Sequence, residues 1–169
     1  VVECCQHQFY MSIIDTGLLI GPCPFREVPS SVADVAALRK NASLDRAVAT
    51  GFRSLLYYDP IAGLEQDMVQ YESLADWLHF YAVINPNFPQ TGEQVARANQ
   101  ERQIVGLRLI PALHHYDLST SRIRAIVQSA GEHGLPLNLM ARVFDDRMAP
   151  RYVDQRVPAP ADICDFLRT

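Results

Sequence analysis

Five long apolar segments, separated by segments with helical character, are the feature that most constrains the fold of this chain. Strands that are apolar nearly throughout are typical of a parallel sheet covered on both faces, and parallel strands need helical crossovers. The sequence predicts strands at residues 12–20, 52–59, 80–86, 104–113 and 135–144. It predicts helices at residues 31–50, 64–78, 93–102 and 121–133, with a short last helix from about Ala161.

Two α/β architectures fit this alternation. One is a TIM-barrel-like (β/α) fold in which about five of the eight units are present, because a whole barrel needs about 250 residues. The other is an open, doubly wound sheet of five parallel strands, which a chain of 169 residues would complete. On the first interpretation residues 11–169 form a single (β/α) domain that is incomplete at its C-terminus, and residues 1–10 are an extension outside it.

Composition excludes several classes of partner. The net charge of −4 and the pI near 5.7 give no basic patch for nucleic acid or for an anionic membrane surface. No apolar run approaches the roughly 18 residues of a membrane span. The four cysteines contain no C-x-x-C pair, which indicates reduced thiols and a cytoplasmic protein. A glycine-rich phosphate loop and a G-x-S-x-G nucleophile motif are both missing from the sequence.

Polar side chains collect where the predicted strands end, and in either architecture chemistry lies at the carboxyl ends of the strands. The expected strand-end residues, from the first strand to the fifth, are Asp15 and Arg26; Tyr58 and Asp59; Asn85; His114, His115, Tyr116 and Asp117; and Arg142, Asp145, Asp146 and Arg147. Asp15 either closes the first strand into a site or caps the turn that follows. Arg108 lies inside the fourth strand and points either into the barrel or outward.

The segment HHYD, residues 114–117, is the densest of these groups. Histidine can act as an acid, a base or a metal ligand near neutral pH. Side chains of neighbouring residues on an extended segment point to opposite sides, so at most one of the two histidines should face a site. We expect that one to be His114. The alternative is that His114 hydrogen-bonds a backbone carbonyl while His115 lies on the surface.

The segment RVFDDR, residues 142–147, places two carboxylates between two arginines. A carboxyl beside arginine has a lowered pKa, which suits binding or orienting rather than general acid catalysis. Guanidinium groups also bind substrate carboxylates through two hydrogen bonds. The alternative is a solvated loop with internal ion pairs.

Three segments resemble the amidohydrolase-related (amidohydrolase 2) family: MSIIDTGLLIGPCPFR, VGLRLIPALHHYDL and GEHGLPLNLMARVFDDRM. Members of that family are TIM-barrel hydrolases and decarboxylases, usually with a divalent metal, often zinc. The resemblance extends from Met11 to the end of the chain and favours the barrel over the doubly wound sheet.

The chain departs from the family pattern at the metal ligands. Family members typically carry H-x-H at the end of the first strand, where this chain has Gly17 and Leu19. Glycine has no side chain and leucine has no lone pair, so neither can bind a metal. On the fifth strand, where the family commonly has a histidine, the chain has Asn138, Met140 and Arg142. The resemblance implies zinc, but these residues predict a degenerate site without metal ligands, and the cofactor stays open.

The resemblance implies a hydrolase, and the arginines Arg142 and Arg147 predict that its substrate is a small anionic ester, lactone or amide. The predicted catalytic residues are His114, Asp145 and Asp15, and the predicted substrate-binding residues are Arg26, Tyr116, Arg142 and Arg147. The alternative is a non-catalytic barrel relative that binds a small molecule or a partner. Free strand edges of an incomplete barrel favour pairing with another chain, which leaves a homo-oligomer open.

Overall fold

The computed structural model describes residues 12–145, 147 and 153–168, so the expected extension at residues 1–10 lies outside the described part. The strands are β1 (Ile14–Ile20), β2 (Arg46–Gly51), β3 (Leu78–Val83), β4 (Ile104–Leu109) and β5 (Leu137–Leu139). The helices are α1 (Val32–Asn41), α2 (Phe52–Leu56), α3 (Pro60–Gln70), α4 (Thr91–Ala98), α5 (Pro111–His114), α6 (Ser121–Glu132) and α7 (Pro160–Phe166). A 3₁₀ turn at Glu72–Leu74 follows α3.

The strands form one parallel sheet in the order β1-β2-β3-β4-β5. The sheet curls into a half-barrel with helices between its strands, which is a TIM-barrel-like arrangement. A doubly wound sheet reverses its strand order at a switch point, whereas the order among the described strands follows the sequence throughout. The TIM-barrel-like fold class is therefore confirmed, and the doubly wound alternative is wrong.

The main core lies between the outer face of the sheet and the helices. Its largest side chains are at most 2% exposed and include Leu64, Trp77, Phe80, Leu107 and Ile123. Each buried side chain of this size contributes about 1.5–3 kcal/mol relative to an exposed one. Because the core occupies the outer face, the opposite face of the sheet becomes the inside of the half-barrel.

Local capping fixes where the helices begin. Ser31 and Asp34 form a reciprocal capping box at α1, in which the Asp34 amide donates to Ser31 Oγ at 3.2 Å. Asp59 caps α3 ahead of Pro60, and Thr120 caps α6, whose predicted position is confirmed within a residue. None of the helices in the described part of the chain combines the length and the apolar character that a membrane crossing requires.

The second strand is where the sequence-based assignment was wrong. Residues 46–50, predicted to be helical, lie in β2, and residues 52–59, predicted to be a strand, contain α2 and the turn after it. Ala47, Val48 and Ala49 are at most 8% exposed, because β2 lies between two strands and is covered on both faces. A short run that is apolar on every side has no periodicity to separate strand from helix. Asp59 is consequently a helix cap and not a strand end.

The last two strands are shorter than predicted. β4 ends at Leu109 because Pro111 opens the short helix α5, which carries His114 at its end. β5 covers only Leu137–Leu139, and the rest of residues 135–144 is irregular. The functional candidates after β4 and β5 are therefore held by a helix and by loops, and not by extended strands.

Candidate functional site

A buried cation, Arg108, lies on the inner face of the half-barrel and is 1% exposed. Its Nε donates to Asn138 Oδ1 at 2.9 Å, its Nη1 to Thr50 Oγ1 at 2.8 Å, and its Nη2 to the Thr16 carbonyl at 2.6 Å. The guanidinium carbon also lies 4.4 Å from the centroid of the Tyr81 ring. Arg108 therefore connects its own strand, β4, to all four other strands of the sheet.

The direction of Arg108, which the sequence left open, follows from its neighbours on β4. Leu107 and Leu109 belong to the outer core, so the side chain between them points inward. Burial lowers the pKa of Arg108 to about 10, while Tyr81 and Asp15 act to raise it. The guanidinium therefore stays protonated at neutral pH. Its three hydrogen-bond acceptors are neutral, and its positive charge is stabilised by the Tyr81 ring and by the charge of Asp15.

Apolar side chains fill the inside of the half-barrel at the carboxyl ends of the strands, above Arg108. This mouth cluster consists of the buried Phe52, Leu55, Val83 and Ile110 and the partly buried Leu19, Cys23, Leu113, Met140, Val143 and Phe144. Leu19 occupies one of the two positions where the resemblance would place a metal-binding histidine. The chain thus has an apolar surface where the resemblance would place polar metal ligands.

His114 connects the loops that follow β2, β3 and β4. Its Nε2 lies 3.1 Å from the Leu55 carbonyl, and Asn87 Nδ2 donates to the His114 carbonyl at 2.7 Å. Because a carbonyl can only accept, Nε2 must carry the proton, which leaves the lone pair on Nδ1. Nδ1 is buried and has no hydrogen-bond partner among the described residues. Burial lowers the pKa of His114, and the bond to Leu55 opposes that shift only in part.

The other residues of the HHYD segment diverge from His114. His115 ends α5 in a left-handed conformation, with φ of 52°, and its side chain is exposed. The Tyr116 ring packs on the core 6.5 Å from the His114 ring, centroid to centroid. The Tyr116 hydroxyl is buried without a partner in the described part of the chain, and burial raises its pKa. The structure thus brings His114 and Tyr116 together and places His115 apart.

The loops after β1 and β5 meet at the rim of the mouth cluster. The Phe25 and Phe144 rings pack edge to face with centroids 5.7 Å apart. Exposed arginines lie beside this contact, Arg26 on the first loop and Arg142 on the second. These two predicted substrate-binding residues therefore come from loops that touch each other.

Asp145 and Arg147 form an exposed pair on the loop after β5. Arg147 Nη2 lies 2.7 Å from Asp145 Oδ2, and its Nε donates to Oδ1 at 3.0 Å. Hydrogen bonds from Arg147 hold the pKa of Asp145 below its usual value. Asp146, the second carboxylate of this segment, lies outside the described residues.

Asp15 does not lie where the sequence-based expectation placed it. It is the second residue of β1, which continues to Ile20, so roughly 16 Å of strand separates it from the carboxyl end. Its Oδ1 accepts a hydrogen bond from the Gly17 amide at 2.7 Å. The expectation that Asp15 ends the first strand is wrong, because the residues after it are extended and pair with β2.

Sequence reasoning missed a buried carboxylate, Asp67 of α3, whose side chain lies against the carboxyl ends of β1 and β2. Its side chain has no exposed surface, and it forms an ion pair with Arg53 Nη1. A Cβ atom at Gly51 would lie 1.6 Å from Asp67 Oδ2, so only glycine leaves room for the carboxylate. Oδ2 has no hydrogen-bond partner among the described residues. Burial raises the pKa of Asp67 to about 6, although Arg53 opposes the shift.

Hydrogen bonds connect the Asp67–Arg53 ion pair to the segment between Arg26 and α1. Arg53 also donates to Gln70 Oε1 at 2.8 Å. Gln70 Nε2 and the Tyr71 hydroxyl both donate to the Ser30 carbonyl, at 3.3 and 2.6 Å, just before α1 begins. Asp67 could have been found in the sequence, because it follows Leu64 by three residues on a helix face that is otherwise apolar.

No group of three histidine, cysteine, aspartate or glutamate side chains among the described residues is placed to hold a metal ion. The two positions that match the family's H-x-H support the same conclusion, since Gly17 has no side chain and Leu19 packs in the mouth cluster. The described residues do not fit the metal that the resemblance implies, and no catalytic step is assigned to one.

No protein-family model and no curated protein matches the sequence. Among solved structures, the chain is similar to the crystal structure of a probable 2-pyrone-4,6-dicarboxylic acid hydrolase from Acinetobacter baumannii with citric acid bound. The TM-score is 0.49 at 18% identity, over 76% of this chain and 49% of the other. The chain therefore spans about half the length of that protein. An identity this low does not carry an activity from one protein to the other.

Proposed function

We propose that this chain is the substrate-binding part of an amidohydrolase-like hydrolase that acts on a small anionic ester, lactone or amide. The observation that carries the proposal is the arrangement at the mouth of the half-barrel, where an apolar cluster borders two touching loops with exposed arginines. An apolar surface with guanidinium groups at its edge suits an apolar ligand that ends in a carboxylate.

The proposal gives the arginines at the mouth two different roles. Arg26 and Arg142 flank the Phe25–Phe144 contact, and in the proposal they bind the substrate carboxylate. Arg147 forms an ion pair with Asp145, and in the proposal this pair orients the substrate or a water molecule at the outer edge. Tyr116 takes part only when the loop after α5 moves, because its hydroxyl is buried.

His114 is the proposed general base. Its lowered pKa keeps the imidazole neutral at pH 7, with the lone pair on Nδ1. In the proposed step a water molecule gives its proton to Nδ1 as its oxygen attacks the substrate carbonyl, and the imidazolium then returns the proton to the leaving oxygen or nitrogen. Asp15 is better described as a positioning residue, because it acts on Arg108 through its charge and lies far from the mouth.

The test is hydrolysis of carboxylated lactones, esters and amides by the wild-type chain, three test variants and one control variant. Arg26→Gln and Arg142→Gln should raise KM at least several-fold for the anionic substrates and leave their neutral methyl esters unaffected. His114→Asn should lower kcat with KM unchanged. Arg102→Gln, an exposed arginine near the amino end of β4, is the matched control. Unchanged turnover in His114→Asn would remove the assigned role, and turnover of none of these substrates would remove the hydrolase.

A non-catalytic anion-binding domain is the second candidate, and the burial of His114 Nδ1 favours it. A base without accessible surface cannot reach water unless the surrounding loops open. This candidate predicts that small aliphatic and aromatic carboxylates raise the melting temperature of the chain without being turned over. Arg26→Gln and Arg142→Gln should reduce that shift, while His114→Asn should leave it unchanged.

A further inference from the structure

A cavity of about 600 Å³ lies beside α6, and the mouth cluster does not line it. Its apolar wall is formed by Ile123 and Val127 from α6, Leu118 from the preceding loop, and Val157 and Phe166 from the C-terminal segment. The volume falls within the range of sites that hold small molecules in proteins.

The far wall of this cavity is an element that packs lightly. α7 has no buried residue along its length. The segment before it is attached to the barrel by a hydrogen bond from the Arg156 amide to the Ala112 carbonyl, at 3.0 Å, and by hydrogen bonds between the Gln155 side chain and the backbone of Val143 and Phe144. A helix held in this way leaves space between itself and α6, and a ligand in that space would gain contacts from both helices.

Some of the charged residues around the cavity form ion pairs, and others do not. Arg156 is paired with Asp154, and Asp165 is paired with Arg168. By contrast, the side chains of three other lining residues make no hydrogen bond or ion pair with the described part of the chain; they are Arg124, Asp117 and Asp162. These three come from α6, from the loop before it and from α7, so they surround the apolar wall from different elements.

The backbone conformation of His115 also indicates a functional role for this loop. It lines the cavity in the left-handed conformation, which costs a non-glycine residue about 1 kcal/mol or more and is frequent at binding sites. It directly precedes the loop that carries Asp117.

We propose that this cavity binds a free amino acid with an apolar side chain. Arg124 binds the ligand carboxylate, Asp117 and Asp162 bind its ammonium group, and the side chain packs against Ile123, Val127 and Phe166. A guanidinium and two carboxylates around an apolar wall match a small zwitterion, whereas a simple anion would meet two uncompensated acids. This site uses no residue of the mouth cluster, and of the residues assigned to the proposed hydrolase only Tyr116 lines the cavity.

Isothermal titration of the 169-residue chain with L-leucine and L-phenylalanine tests the proposal. Saturable binding of both is expected. N-acetyl-leucine, which lacks the ammonium, and leucinamide, which lacks the carboxylate, should each bind at least tenfold more weakly. Binding of neither amino acid at millimolar concentration, or equal binding of leucine and its two derivatives, overturns the proposal.

Variants assign each contact to its partner. Arg124→Gln should weaken leucine about tenfold and leave leucinamide unchanged, while Asp117→Asn and Asp162→Asn should weaken leucine and leave N-acetyl-leucine unchanged. Ser119→Trp, at an exposed position in the cavity wall, should abolish binding without disturbing the core. Arg102→Gln and Glu101→Gln are matched exposed controls. Full leucine binding by Ser119→Trp, or by Arg124→Gln, would place the ligand elsewhere and overturn the assignment.

Discussion

Arg108 and Asp67 are the two charged residues that are fully buried in the described part of the chain, and they are buried in different ways. Arg108 lies on the inner face of the sheet, where each of its three nitrogens donates to a group on a different strand. Asp67 projects from α3 on the outer side of the sheet, where Arg53 binds one carboxylate oxygen and the other has no described partner. The inner charge is satisfied and the outer one is only half satisfied.

This difference in hydrogen bonding gives the two buried charges different effects on stability. A guanidinium that is bound by acceptors from several strands stabilises their relative positions, because moving any strand breaks a hydrogen bond to a charged donor. A carboxylate with one unpartnered oxygen in a buried place is disfavoured in its ionised form, so its protonation state can change near physiological pH. Arg108 should therefore determine the stability of the half-barrel, and Asp67 its dependence on pH.

The largest expected effect is that of Arg108→Met. The substitution removes three hydrogen bonds to a charged donor and leaves their acceptors in the barrel interior, so the free energy of unfolding should fall by about 4 kcal/mol. Arg108→Lys should lose nearly as much, because one ammonium cannot reach three strands. Urea unfolding monitored by circular dichroism measures both, with Arg102→Gln as the control. A loss below about 1 kcal/mol for Arg108→Met would contradict the structural role.

Gly51→Ala should have the next largest effect. The new Cβ would overlap the buried Asp67 carboxylate, and overpacking of this kind costs about 1–3 kcal/mol. Asp67→Ala removes the overlapping atoms, so the double variant should be more stable than the sum of the single effects predicts, by at least about 1 kcal/mol. Strictly additive effects in the same urea experiment would mean that the two residues do not meet.

Asp67→Asn should remove a pH dependence from the unfolding free energy. The pKa of Asp67 is about 6 in the folded chain, against an ordinary value of 3.8 for an aspartate in water, so the folded state binds more protons between these values. Stability from this group is thus fully present below the lower value and is lost as pH rises through the upper one. The difference in unfolding free energy, wild type minus variant, should fall by at most about 1.4 kcal/mol per pH unit across that window. A difference that stays level or rises would reverse the assignment.

The smallest effect should come from an exposed ion pair network. Arg97 contacts Glu65 at 2.6 Å and Asp59 at 3.2 Å, and all three side chains are at least 40% exposed. Arg97→Gln should change the free energy of unfolding by less than about 1 kcal/mol, since solvent screens such pairs. Arg97 has two carboxylate partners, whereas Arg108 has no carboxylate in contact. Burial should nevertheless make Arg108 contribute much more to the free energy of unfolding than Arg97 does. A larger loss for Arg97→Gln than for Arg108→Met would refute this comparison.

Sequence patterns predicted the fold class and most elements, and they failed where burial on both sides removed the pattern. The helix α6 was predicted well, because Thr120 caps it and its apolar positions recur with helical spacing. β2 was misassigned because Ala47 and Ala49 are compatible with either structure until neighbouring strands are in place. Of the candidate site, Asp15 was expected at the wrong end of its strand, while the roles of His114 and the arginines stay predictions.

The sequence by itself determined that the chain alternates strands with helices in a parallel α/β arrangement, because apolar runs, caps and prolines act over a few residues. Tertiary structure decided the rest. Whether Arg108 points inward, which carbonyl holds His114, and whether Asp67 is buried all depend on residues that are 14 or more positions away in the chain. The direction of a side chain and its burial depend on how the sheet and helices pack, so no local sequence pattern predicts them.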